Sequence, residues 1–208
     1  MPNHCGKNEC LDKLSHLPPN GSRFFRYEQL GLRVRSFVRL DIHDRLDPLK
    51  LAETVGLKVI TLDSVEGLSD EIKNVLKDPS QNWSGGTTPE LPDGSCLVVL
   101  NPWQSAERQA VTLMEEICHV LLGHKHSQIA LATDLVSGNH RDYNDAVEEE
   151  AYSVGAAALV PYRSLACDIS RGFSMRAIAR HFGVSVSLVK YRVRVLQLTA
   201  NFAHTLGT

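Results

Sequence analysis

The sequence has no long hydrophobic run, and this absence bears on membranes and on export. No stretch of the 208 residues approaches the roughly 18 to 20 consecutive apolar residues that a membrane-spanning helix needs. The segment from Met1 to Pro19 is interspersed with charged side chains and contains no apolar stretch of signal-peptide length. The sequence therefore predicts no membrane contact and a cytoplasmic location.

Cysteine is also scarce, and the net charge is small. The five cysteines are odd in number and scattered along the chain, which does not fit a disulfide framework. The net charge of -2 gives no global electrostatic attraction to nucleic acid, so any contact with DNA has to come from a local surface. The composition, 43% hydrophobic and 22% charged, is that of a folded globular protein rather than a disordered one.

Hydrophobic periodicity and breaker residues predict an α+β protein that is mainly helical and has a short sheet. Helices are predicted over residues 24–40, 49–55, 106–122 and 145–159, strands over 57–62 and 96–100, and a pair of short helices over 174–198. Residues 78–94 are rich in proline, glycine and small polar residues, and predict a loop. The predicted domains are a flexible tail over 1–22, a core domain over 23–165 and a C-terminal helical region over 166–208.

The predicted helix 106–122 carries residues that can hold a metal ion. Glu115 and His119 are four residues apart, so on a helix their side chains share a face and can reach one ion. Glu116 is one step further round, where it can reach a water molecule bound to that ion. This is the arrangement of the H-E-x-x-H motif, in which two histidines bind zinc and the glutamate is the general base, with Glu115 in place of the first histidine.

A third ligand has to come from another element, and the predicted helix 145–159 begins with acidic residues. Glu148, Glu149 and Glu150 are consecutive, and their spacing does not choose among them. Acidic residues at a helix N-terminus also complement the helix dipole, which by itself explains their presence. The residues that follow are small and apolar, and they would allow two helices to approach as closely as a shared metal requires.

With these motifs in this order, the chain resembles the ImmA/IrrE-type metallopeptidases, a family of gluzincin-like zinc peptidases. The family pattern is a strand ending in Asn-Pro, a helix with H-E-x-x-H and Leu-Leu-Gly-His, and a second helix with a small-residue run ending in Pro. The corresponding segments are Val99-Leu100-Asn101-Pro102, Arg108, Glu115 to His124, Glu148 to Ala151, and Ala156 to Pro161. The resemblance implies a zincin-like peptidase core within residues 23–165.

The resemblance also implies a role for each matching residue. The implied metal ligands are His119, Glu115 and Glu148. Glu116 is the implied general base. The resemblance does not identify the residue that stabilises the oxyanion; the candidates are Tyr152, His140 and Tyr143, and the sequence does not choose among them. The implied cofactor is Zn²⁺, with Mn²⁺ as an alternative because a site with two carboxylates favours harder ions, and an absence of metal as the other alternative. His124 is predicted to end the helix rather than to bind the metal.

The implied function is that of a metal-dependent endopeptidase that cleaves a protein substrate of the repressor-like regulator class. In such an enzyme, the metal polarises the scissile carbonyl, and Glu116 takes a proton from the attacking water. The alternative is a catalytically impaired pseudopeptidase that acts as a DNA- or protein-binding regulator, because Glu115 departs from the family's first ligand.

Residues 174–198 predict a helix-turn-helix. Ala179 is small where the two helices would touch, Gly183 suits the turn, and Ser185 suits the N-cap of the second helix. The basic residues predicted to reach DNA phosphates are Lys190, Arg192 and Arg194. A structural hairpin packed on the peptidase core explains the same pattern and is favoured over DNA contact.

Overall fold

The structure is a computed structural model, and it describes residues 18, 22–61, 71, 74, 83–88, 94–124 and 145–198. The predicted fold class, α+β and mainly helical with a short sheet, is confirmed within this part of the chain. The predicted tail over residues 1–22 lies almost entirely outside the described residues. So do two of the candidate oxyanion stabilisers, His140 and Tyr143.

The described part of the chain contains seven helices and three strands. The helices are α1 (Arg23–Ser36), α2 (Pro48–Thr54), α3 (Ala106–Leu121), α4 (Asp145–Leu159), α5 (Tyr162–Ser170), α6 (Met175–Phe182) and α7 (Val186–Val195). The strands are β1 (Leu57–Thr61), β2 (Gly85–Thr87) and β3 (Cys96–Leu100). None of these helices combines the length and the apolar character that crossing a membrane requires.

The chain groups into two compact units. One unit combines the described residues of Met1–Leu46 and Ser153–Thr208, and the other consists of those of Asp47–Tyr152. Helix α4 begins in the second unit and ends in the first. The division of the chain into a tail, a peptidase domain and a C-terminal region stays a prediction.

The sheet of the unit Asp47–Tyr152 has the order β1-β3-β2, with β3 in the centre. β1 pairs with β3 in parallel, and β2 pairs with β3 antiparallel, so that Gly86 lies opposite Val99. Strand β2 falls inside residues 78–94, and the prediction of a loop there was wrong at these three positions. Glycine has a low strand propensity, and the pairing with β3 overrides it.

Helix α3 packs against β2 and β3 in the same unit, and α2 packs against α3 and β1. The hydroxyl of Ser105 caps α3 by accepting a hydrogen bond from the amide of Arg108. The side of α3 that faces the core buries Leu113, Met114, Ile117 and Cys118. These residues recur at helical spacing, and their burial fixes which side of α3 is left for a functional site.

The other unit contains the predicted helix-turn-helix, formed by α6 and α7. Gly183 ends α6 with a φ of 67°, in the left-handed region that favours glycine. The hydroxyl of Ser185 accepts a hydrogen bond from the amide of Leu188 and caps α7. Ala179 and Val189 are buried. The predicted helix pair, its turn and its N-cap are therefore confirmed.

Candidate metal centre

The predicted metal ligands of α3 lie at the margin of its buried side. His119 is buried, with 6% of its surface exposed, whereas Glu115 and Glu116 are half-buried. Ile117 and Cys118 are both fully buried and hold this turn of the helix against the core. The orientation leaves three polar side chains on one side of α3, as the sequence predicts from their spacing.

Helix α4 supplies the third member of the cluster. One potential ligand atom from each of Glu115, His119 and Glu148 lies within 4.8 Å of the others. Nε2 of His119 is 3.3 Å from Oε2 of Glu148. Two ligand atoms bound to one tetrahedral zinc ion lie roughly 3.4 Å apart, given bond lengths of about 2.0–2.2 Å. The donor set therefore fits a divalent ion.

The electrostatics of the cluster favour a bound cation. The pKa of the Glu115 carboxyl is raised to about 7, first by burial and then by the negative charges of Glu116 and Glu148. The positive charge of Arg108 opposes this rise but does not cancel it. A divalent ion would neutralise the repulsion among the three carboxylates.

The predicted general base has a partner that sequence analysis missed. The hydroxyl of Thr87, on β2, donates a hydrogen bond to Oε2 of Glu116 over 2.7 Å, and Thr87 is only 2% exposed. This bond holds one carboxylate oxygen in place. No signal in the sequence pointed to Thr87, because its strand was predicted as a loop.

His124 follows the end of α3 and turns back against it. Helix α3 ends at Leu121, and Gly123 has a φ of 69°. The amide of Gly123 bonds to the carbonyl of Val120, and the amide of His124 bonds to the carbonyl of His119. These two bonds define a Schellman motif, which brings the residue after the glycine beside the last turn of the helix. His124 thus lies just past the end of the helix, and its ring contacts that of His119.

Substituting Gly123 with alanine is expected to lower the free energy of unfolding by about 1 kcal/mol, because a Cβ is strained at this positive φ. A Cβ at this position would meet no atom within 4 Å, so the cost arises in the backbone alone. Chemical denaturation followed by circular dichroism measures the change. Gly123→Asn is the control, since asparagine tolerates the left-handed region and should lose less. Equal stability of all three proteins would contradict the assigned cap.

The remaining predicted site residues that the structure describes stand on α4 and α7. Tyr152 is half-buried on α4, one turn beyond Glu148 and therefore on the same side of that helix. Lys190 and Arg194 are exposed on α7. Arg192 is fully buried, and its guanidinium forms an ion pair with Glu28 and donates to the carbonyl of Val160. A phosphate contact by Arg192 is therefore corrected, since this side chain does not reach the surface.

Fold and site together define a class of protein, namely a mainly helical α+β protein with a Glu-His-Glu cluster that could hold a metal ion. The model of the peptidase M78 family, described as the IrrE N-terminal-like domain, matches residues 52–194. The chain belongs to this family.

The chain is similar to a solved structure of a Mycobacterium tuberculosis transcriptional regulator, with a TM-score of 0.49 and 18% sequence identity. The similarity covers 89% of this chain and 50% of that one, so the chain spans about half the length of the regulator. No curated protein sequence matches the chain.

Proposed function

We propose that the protein is a metal-dependent endopeptidase in which Glu115, His119 and Glu148 hold the ion. The observation that carries the proposal is the convergence of these three side chains from α3 and α4, with ligand atoms within 4.8 Å of one another. Membership of the peptidase M78 family supports it. Zn²⁺ is the expected ion, and Mn²⁺ is the alternative that two carboxylate ligands favour.

The bound ion would supply Lewis-acid polarisation of the scissile carbonyl and would make a water molecule more acidic. Glu116 is the proposed general base, taking a proton from the attacking water and passing it to the leaving amine. The Thr87 hydroxyl donates to Oε2 of Glu116 and thereby orients the carboxylate that would accept the proton. Tyr152, half-buried on the side of α4 that carries Glu148, is the proposed hydrogen-bond donor to the oxyanion.

Strand β2 supports a protein substrate. β2 lies at one end of the described sheet, and its residue Thr87 contacts the proposed general base. An extended peptide that added to a sheet edge at β2 would run past Glu116, and such addition is a common mode of peptide recognition. The proposed substrate is a repressor-like regulatory protein in the cytoplasm, the substrate class that the family resemblance implies.

Elemental analysis of the purified protein tests the proposal. About one zinc or manganese ion per wild-type chain is expected, and the double variant His119→Ala/Glu148→Ala should contain none. Glu149→Gln is the matched control, because Glu149 is the neighbour of Glu148 and is not a member of the cluster. Glu116→Gln should retain the metal and lose hydrolysis of a cognate peptide, because it alters the base and not a ligand.

A second function is favoured by the replacement of the first histidine ligand by Glu115. In that case the protein would be a pseudopeptidase that keeps the fold and regulates by binding DNA or another protein. Lys190 and Arg194, exposed on α7, would then supply the phosphate contacts. A wild-type protein that takes up neither ion after reconstitution would overturn the endopeptidase proposal and support this alternative.

A further inference from the structure

A line of three side chains extends from the metal centre away from the proposed ion. Nδ1 of His119 is 3.1 Å from Nδ1 of His124, and Nε2 of His124 is 3.1 Å from Oε2 of Glu150. All three side chains are buried or half-buried. Glu150 and His124 belong to neither the ligand set nor the proposed base, so the metal site does not by itself account for them.

The positions of the protons along this line follow from the chemistry of imidazole. Nε2 of His119 points to the cluster, since it lies 3.3 Å from Glu148. A neutral imidazole that offers Nε2 to a metal must carry its proton on Nδ1. The Nδ1–H of His119 then donates to the unprotonated Nδ1 of His124. His124 consequently carries its own proton on Nε2, and that N–H donates to the Glu150 carboxylate.

We propose that His124 and Glu150 are positioning residues for the metal ligand His119. This inference rests on the proposed function, because it assumes that an ion binds at Nε2 of His119. The Glu150 carboxylate fixes the His124 tautomer, and His124 in turn fixes the tautomer and the ring orientation of His119. Histidine ligands of metals commonly donate their second N–H to a carboxylate or a carbonyl. Here a second histidine stands between the ligand and the carboxylate.

Two local features of the chain create this arrangement. The left-handed residue Gly123 reverses the backbone, so that the ring of His124 packs edge-on against that of His119, with 5.2 Å between the ring centroids. Helix α4 presents Glu148 to His119 and Glu150 to His124. The consecutive glutamates therefore have separate tasks, with Glu148 at the ion and Glu150 at the outer histidine.

The affinity for Zn²⁺, measured by competition with a chromogenic chelator, tests the inference without any substrate. His124→Leu and Glu150→Leu are expected to weaken zinc binding about 10- to 100-fold, the usual effect of losing a partner of a metal ligand. His124→Asn should keep most of the affinity, because its amide oxygen can stand where Nδ1 accepts the hydrogen bond from His119. Glu149→Gln is the matched charge control and should bind as the wild type does.

If His124 and Glu150 only stabilised the fold, the variants would show a different pattern of stabilities and zinc affinities. Thermal unfolding of the four metal-free variants identifies any general loss of stability. If His124→Asn keeps the zinc affinity and His124→Leu loses it, the affinity depends on the hydrogen bond to His119 itself. Equal zinc affinity of wild type, His124→Leu and Glu150→Leu would overturn this inference and leave the proposed function standing. A wild type that binds no zinc or manganese would overturn both.

Discussion

Arg192→Met is expected to lower the free energy of unfolding by about 3–5 kcal/mol, the usual cost of removing one partner from a buried ion pair. Arg192 and Glu28 are both fully buried, and the guanidinium bonds to the Glu28 carboxylate and to the carbonyl of Val160. Burial raises the pKa of Glu28, and Arg192 is the strongest of the groups that oppose this rise. Without Arg192, the carboxyl group keeps the amide of Tyr162, at 2.5 Å, as its hydrogen-bond donor.

Urea denaturation followed by circular dichroism measures this loss. Arg194→Met is the matched control, because Arg194 is an exposed arginine on the same helix and its replacement should change stability by less than about 0.5 kcal/mol. The double variant Glu28→Met/Arg192→Met should recover much of the loss, since no unpaired charge is then buried. If Arg192→Met were as stable as Arg194→Met, the buried ion pair would not contribute as described.

The sequence contained more information about α7 than the prediction used. The sequence-based prediction assigns phosphate contacts to Lys190, Arg192 and Arg194 alike, although Arg192 lies about 200° round a helix from Lys190. The three side chains therefore cannot share one face of the helix. The apolar residues near Arg192 indicate that its face is the buried one. Its partner could not be predicted in the same way. Glu28 lies 164 residues earlier, and only the tertiary structure brings the two together.

The candidate metal centre could likewise be predicted from the sequence only in part. The spacing of Glu115, Glu116 and His119 was enough to predict their common side, because helical geometry fixes it. Spacing treats Glu148 and its two neighbours alike, so only the family resemblance favours Glu148; the packing of α4 brings its Oε2 to 3.3 Å from Nε2 of His119. Thr87 could not be predicted, because its strand exists through pairing with β3 rather than through propensity.

His124 is a different case, because the sequence itself contains the residue that determines its position. Continuing α3 as a regular helix places His124 about 140° from His119. Glycine is the residue type that most often ends a helix in the left-handed conformation. Gly123 ends α3 in this way, and the reversal brings the rings of His119 and His124 together. A helix-capping motif therefore carries information about which side chains meet beyond the helix end.

Because of Glu115, the stability of the metal-free protein is expected to fall as the pH rises from about 4.5 to above 7. The pKa of Glu115 is raised from 4.5 to about 7 in the folded chain, first by burial and then by Glu116 and Glu148. Between these two values the folded protein holds a proton that the unfolded chain has released. Raising the pH through this window therefore removes stability, by an amount on the order of 2–3 kcal/mol.

Glu115→Gln isolates this contribution from all other titrating groups. The quantity to measure is the difference in the free energy of unfolding between variant and wild type, after removal of metal with a chelator, at pH 5 and at pH 8. The glutamine variant should gain on the wild type by about 2 kcal/mol between the two pH values, whereas Glu149→Gln should not. An unchanged difference would mean that Glu115 titrates normally.

Added Zn²⁺ should stabilise the wild type most at high pH, because the ion takes the place of the proton on Glu115. The Glu115 carboxylate that destabilises the metal-free fold at neutral pH would therefore become favourable when an ion binds to it. The replacement of the family's first histidine by Glu115 thus predicts that the stability of the fold depends measurably on metal.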